Sequence, residues 1–103
     1  MIALIIISKN QVPYMEQMLS KVDEMSVKPD RLYYMLDREP KTVQEKAAAI
    51  MAKHACKTFS KLMFNDKVPD NVYRPMMTPD VDYFLAGYCR NICIKEALAD
   101  GCD

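Results

Sequence analysis

Residues Ile2 to Ile7 read Ile-Ala-Leu-Ile-Ile-Ile, an unbroken apolar run with no charge, glycine or proline. A run this short and this rich in β-branched residues fits a strand. Only a strand covered on both faces carries so many apolar side chains in succession, because a strand with one wet face alternates. The run therefore predicts a parallel sheet sandwiched between helices. It is far too short to cross a membrane. No basic segment precedes it and no small-residue cleavage site follows it, so a secretory leader is not expected.

The remaining chain alternates helical and extended patterns. Ser8-Lys9-Asn10-Gln11 is a polar loop, in which Asn10 is expected to cap the next helix, with Pro13 in its first turn. Met15, Met18, Leu19, Val22 and Met25 recur at helical spacing. Ser26 to Asp30, with Pro29, ends that helix. Arg31 to Leu36 reads as a second strand, and Asp37-Arg38-Glu39-Pro40 as a polar turn. Thr42-x-x-Glu45 has the form of a capping box ahead of a helix that buries Val43, Ala47, Ile50 and Met51. His54 falls near the end of that helix and is read as a partly buried structural histidine. Lys57 to Phe64 is a third strand. Asn65 to Pro79, with three prolines, is a long loop of the kind that is often functional. Asp80 or Asp82 caps the last helix, which occupies Ala86 to Asp103. Leu85, Tyr88, Cys89, Ile92 and Cys93 form its apolar stripe, and Gly101 sits where a left-handed residue would close it.

Strand-helix alternation repeated three times predicts a single α/β domain, a three-layer βαβαβα arrangement with a small parallel sheet and right-handed crossovers. At 103 residues the chain is one domain or part of one. Fourteen basic and fourteen acidic residues cancel, so nothing in the charge points to nucleic acid or an anionic membrane. With two glycines in the whole chain, a glycine-rich phosphate cradle is excluded. A Gly-x-Ser-x-Gly elbow is also absent. The nine methionines suit an adaptable core better than a surface, since most fall on apolar stripes. Four cysteines lack any Cys-x-x-Cys pair, although Cys89 and Cys93 share a helix face. Plain buried thiols are favoured over zinc bound with Cys102, Cys56 or His54. A cytoplasmic chain with reduced thiols is expected.

Several stretches resemble family 2 glycosyltransferases, in order and spacing rather than in any one motif. Gly87-x-x-Arg90-Asn91, Ala97 and Gly101-x-Asp103 are similar to the helix that leads into that family's metal-binding strand. Ile5-Ile6-Ile7-Ser8-Lys9-Asn10 is similar to its opening strand and polar turn, with Lys9 where an aromatic residue is common. Met35-Leu36-Asp37 is similar to its second strand, whose acidic end holds the nucleobase. Asp37-Arg38-Glu39-Pro40 stands where the family usually has Asp-Asp-Gly-Ser. The resemblance covers essentially the whole chain. It implies the N-terminal nucleotide-binding half of a GT-A, Rossmann-like fold, with strand order 3-2-1.

The same resemblance implies ligand contacts from Ser8, Asn10, Asp37 and Arg90, at the carboxyl ends of the strands where open parallel sheets bind ligands. It implies a nucleoside diphosphate sugar as ligand. The family's metal-holding carboxylates and its acceptor base lie on later segments, so no metal site and no sugar transfer are expected here. The alternative is a non-catalytic interaction module, for instance an inhibitor of a cellular enzyme, using Tyr73, Met76 and Met77. In the resembled fold a fourth strand pairs with the first. Without it, Ile2 to Ile7 becomes an uncharged edge expected to recruit a second copy or another protein. The thiol reading has a direct check. Intact mass under non-reducing conditions is expected to show no loss of hydrogen, and elemental analysis no stoichiometric zinc.

Overall fold

The computed structural model describes residues 1–54, 59–68 and 85–102. Three parallel strands form one open sheet: β1 (Ala3–Ser8), β2 (Arg31–Asp37) and β3 (Phe59–Asn65). Their order is β1-β2-β3, so β2 is central. Two α-helices, α1 (Met15–Asp23) and α2 (Lys41–His54), cover one face, and α3 (Ala86–Ala99) covers the other. A 3-10 turn at Val12–Tyr14, with Pro13 in it, leads into α1.

The layering follows from β2. All of its residues from Leu32 to Asp37 are buried. Leu32, Tyr34 and Leu36 point to one core, with Met15, Leu19, Ala47 and Met51. Tyr33 and Met35 point to the other, with Cys89, Cys93, Ala97 and Cys102. Alternate side chains of a strand face opposite sides, so an apolar run of this kind requires both cores. In β1 the apolar residues are only half-buried, because no described strand lies beyond it.

The α3 helix buries two thiols and a methyl group against the sheet, with Ile92 partly buried beside them. Cys89, Cys93 and Ala97 are buried at helical spacing, and their small side chains let the helix lie close. Tyr88 was expected on this stripe but is 37% exposed. The stripe is shifted because Glu96 and Asp100, on one flank, turn toward Lys61 of β3. The helix ends as its sequence implies. Gly101 has φ 91, its N–H donates to the Leu98 carbonyl, and the Cys102 N–H donates to the Ala97 carbonyl. That is a Schellman closure, in which glycine avoids the strain a side chain would bring.

Other expectations need correction. Asn10 does not cap the following helix. It is left-handed (φ 59), and the turn begins after Gln11 with no side-chain cap. Thr42 and Glu45 form no capping box, since α2 starts at Lys41 and places both inside its first turns. Gln44 reaches back instead, its Nε2 donating to the Glu39 carbonyl at 3.1 Å. On α1 the stripe keeps Met15, Leu19 and Val22 buried, whereas Met18 is exposed and Met25 lies past the helix end. Met1 is exposed as well, so the core accounts for Met15, Met35 and Met51, with Met63 partly buried. His54 is the last residue of α2, with its Nδ1 2.7 Å from Asp23 Oδ2, tying the ends of α1 and α2 together. Cys56, Lys57, Thr58, Tyr73, Met76, Met77, Asp80, Asp82 and Asp103, with most of the proline-rich loop, lie outside the described residues.

Burial pushes the thiol of Cys89 up to about 12, helped by the neighbouring Asp37 charge, and that of Cys93 up to about 11. Both folded values lie above that of an unfolded thiol, near 8.5. Their neutral form therefore contributes stability in full below about pH 8.5, and this is lost as pH rises toward the folded values. Denaturant midpoints are expected to fall between neutral pH and pH 10. In the native protein Cys89 and Cys93 are expected to resist alkylation, mapped by peptide mass, until denaturant is added.

Candidate functional site

The polar residues of the sheet gather at the carboxyl ends of the strands. β1 ends in Ser8, β2 in Asp37 and β3 in Asn65, and Asp37 pairs in register with Asn65. Asp37 is fully buried. Arg38 holds it from two sides, Nε donating to Oδ1 at 3.0 Å and Nη2 to Oδ2 at 2.9 Å. Asn65 Nδ2 donates to Oδ1 at 2.9 Å, and the Leu85 N–H donates to Oδ2 at 2.9 Å. Leu85 is the N-cap of α3 and has no capping side chain of its own. Asp37 thus caps a helix 48 residues further along the chain, where a negative charge also meets the positive end of the helix dipole.

Electrostatics follow from this geometry. Burial opposes ionisation of Asp37, but the bonds from Arg38, Leu85 and Asn65 and the Arg38 charge outweigh it. Its carboxyl is held below the ordinary value. The four donors fill the acceptor capacity of the carboxylate. Asp37 is therefore a structural centre of this edge, and a nucleobase would reach it only by displacing one of those donors.

Around it the loops are strained and cross-linked. Asn10 (φ 59) and Arg38 (φ 48) are the left-handed non-glycine residues among those described, each just beyond the end of a neighbouring strand. The Asn10 N–H donates to Glu39 Oε1 at 3.0 Å, and Glu39 is buried. Lys9 Nζ donates to the Asp37 carbonyl at 3.5 Å. The Arg38 N–H donates to the Asn65 carbonyl at 2.6 Å. Asn65 Nδ2 also donates to the Lys67 carbonyl, and Gln44 Nε2 to Asp66 Oδ1. The edge therefore gathers the cations Lys9, Arg38 and Lys67 around the buried acids Asp37 and Glu39, with Asp66 exposed beside them.

The four residues singled out by sequence separate here. Ser8 is buried at the end of β1, and its Oγ has no hydrogen-bond partner among the described residues. Asn10 is exposed at the rim. Asp37 is interior. Arg90 is exposed in the second turn of α3, and among the described residues no hydrogen bond or ion pair joins it to the other three. Sequence reasoning missed Glu39 and Asn65. The available signal was that each strand ends in a polar residue that the apolar run before it carries into the interior. Among the described residues no cluster of His, Cys, Asp and Glu is arranged to hold a metal ion, and no helix is long and apolar enough to cross a membrane. Two concavities among the described residues lie away from this edge, an open one of about 880 Å³ along α1 and one of about 310 Å³ between α1 and α2. No family model, curated protein or solved structure matches the chain.

The Asp37 network makes two testable statements. Asp37→Asn leaves the half-buried Arg38 beside a neutral amide and is expected to cost about 3 kcal/mol in denaturant unfolding, at the low end for a broken buried pair. Because its folded pKa is depressed, ionised Asp37 contributes stability that is present above about pH 4 and is lost as pH falls through the folded value. The wild-type chain is therefore expected to lose stability steeply below pH 4, and Asp37→Asn less steeply. Equal stability of the two at neutral pH would show that the network holds nothing together.

Proposed function

We propose that the chain is a nucleotide- or nucleotide-sugar-binding module of the glycosyltransferase GT-A type, equivalent to its N-terminal half. The ligand sits against the carboxyl ends of β1 and β2, and the module carries out no sugar transfer by itself. The observation that carries this reading is the pair of left-handed residues Asn10 and Arg38 at adjacent strand ends. Non-glycine residues in that conformation cost on the order of 1 kcal/mol or more each, and such strain gathers at binding sites. It lies here at the edge where open parallel sheets bind ligands.

Asp37 then has a positioning role, holding Arg38 and the start of α3, instead of the nucleobase contact implied by the resemblance. Direct contacts come from the exposed carboxamide of Asn10, which suits a base or ribose, and from the ammonium of Lys9, which suits a diphosphate. A second reading, a non-catalytic interaction module, is favoured by the exposed Tyr14 and Met18 along the α1 concavity, an adaptable apolar pair of the kind protein contacts use.

Calorimetric titration with uridine diphosphate and its sugar conjugates tests the first reading. Asn10→Gly keeps the left-handed backbone and removes the carboxamide. It is expected to weaken binding by about fivefold, the worth of one hydrogen bond, without loss of stability. Lys9→Ala is expected to weaken the diphosphate more than the nucleoside. Absence of binding at millimolar ligand, or binding indifferent to both substitutions, overturns this reading and leaves the second.

A further inference from the structure

We propose that β1 pairs with β1 of a second copy of this chain, antiparallel about a two-fold axis, to make one six-stranded sheet. The two edges of the described sheet differ. β3 carries Lys61, held by Glu96 at 2.5 Å and Asp100 at 3.1 Å. β1 carries no charge from Ala3 to Ser8, and among the described residues its outer edge pairs with no strand. A charge is one of the devices that keep an edge from recruiting another strand, and β1 lacks it. Its apolar side chains Ala3 to Ile7 are half-buried, although they belong to both cores. The helix above continues this surface. Glu96 and Asp100 lie on the β3 side of α3, so Ile94, on the opposite flank by helical spacing, stands toward β1 and is 39% exposed.

Charges at the strand ends select a second copy, in antiparallel orientation. Lys9 follows the carboxyl end of β1. Asp30 lies at the other end, its Oδ2 accepting the Ile2 N–H at 2.7 Å. Centring the pairing on Ile5 sets residue 3 of one copy against residue 7 of the other, and brings Lys9 of each beside the Ile2–Asp30 corner of its partner. A two-fold axis repeats the contact, giving two complementary ends. A parallel pairing would set Lys9 against Lys9 and Asp30 against Asp30. The axis runs perpendicular to the sheet, so both α3 helices lie on one face with their Ile94 flanks toward each other. Six residues of strand and two helix flanks make a small interface beside the usual size of about 1,600 Å². The dimer is accordingly one that dissociates on dilution.

Sedimentation velocity of the full chain across micromolar to submillimolar concentration tests this. Reversible dimerisation is expected, weakened at least about tenfold by Lys9→Glu, which sets two acids against each other. Lys9→Glu combined with Asp30→Lys is expected to regain the dimer. Ile5→Lys is expected to leave a monomer, and circular dichroism checks that it folds. Amide exchange on the unaltered protein gives an arm free of folding defects. Alternate amides of Ala3 to Ser8 already bond to β2, and the intervening outward ones are expected to slow as concentration rises. A chain monomeric at about 100 µM overturns the proposal. So does a dimer indifferent to Lys9→Glu whose β1 amides exchange at the same rate at every concentration.

Discussion

Asp37 is an ionised carboxylate with no solvent contact, and such a group is tolerable only when donors replace the water it has lost. Its donors come from three places in the chain: the adjoining turn through Arg38, the end of β3 through Asn65, and the start of α3 through the Leu85 N–H. Each must be in position for the charge to be buried. The strand ends, the left-handed turn and the helix N-terminus are therefore set together. A helix started by its own serine or aspartate could slide along the sheet with its cap. One started by a carboxylate fixed in β2 cannot, because the cap belongs to the sheet.

The far end of α3 is pinned to the same strand by a second polar group. Tyr33 is fully buried, and its hydroxyl donates to Asp100 Oδ2 at 2.8 Å. Burial raises the Tyr33 pKa and the bond to Asp100 raises it further. That bond, followed by the one from Lys61, holds Asp100 below the ordinary value. Between the two anchors the buried residues against the sheet are Cys89, Cys93 and Ala97, with Ile92 partly buried beside them and Glu96 bonded to Lys61 of β3. Small side chains supply little packing to orient a helix but permit close approach, and here orientation comes from the polar contacts at its ends. The neutral thiols fit that arrangement, since a thiolate at Cys89 would lie beside the Asp37 charge.

The elements were legible because their signals are local. The run Ile2–Ile7 and the apolar residues of β2 mark strands by continuity, the α2 stripe marks a helix by period, and Gly101 marks a stop by the conformation it alone adopts without strain. The polar edge was less legible because its bonds are not local. Asn65 and Leu85 meet a carboxylate 28 and 48 residues away, and no spacing rule covers such distances. Local rules misled in two places for the same reason. Asn10 has the composition of a cap, and Thr42 with Glu45 that of a capping box, yet the Asn10 N–H donates to Glu39 and α2 begins at Lys41, ahead of Thr42. Exposure failed at Met18 because α1 is covered on one side only, so a methionine one position off the stripe faces water.

The two ends of the sheet also divide its roles. At the amino ends, Tyr33 and Lys61 of the strands bond to Glu96 of α3 and to Asp100 and Cys102 just past its end, and Arg31 stacks 4.1 Å over Phe59. Groups committed in this way stiffen the frame and offer little to a ligand. At the carboxyl ends the bonds run from loop to loop and through two left-handed residues, and Asn10 remains exposed. Strain of this kind persists only where the surroundings over-determine it, and the network centred on Asp37 supplies those surroundings. The deeply buried charge thus lets a strained, polar rim stand at the carboxyl ends of β1 and β2, which carry no charge from Ala3 to Ile7 and from Leu32 to Leu36. A rim held in advance of binding would lose less conformational freedom when a ligand arrives, and that is the physical ground on which the proposed nucleotide reading rests.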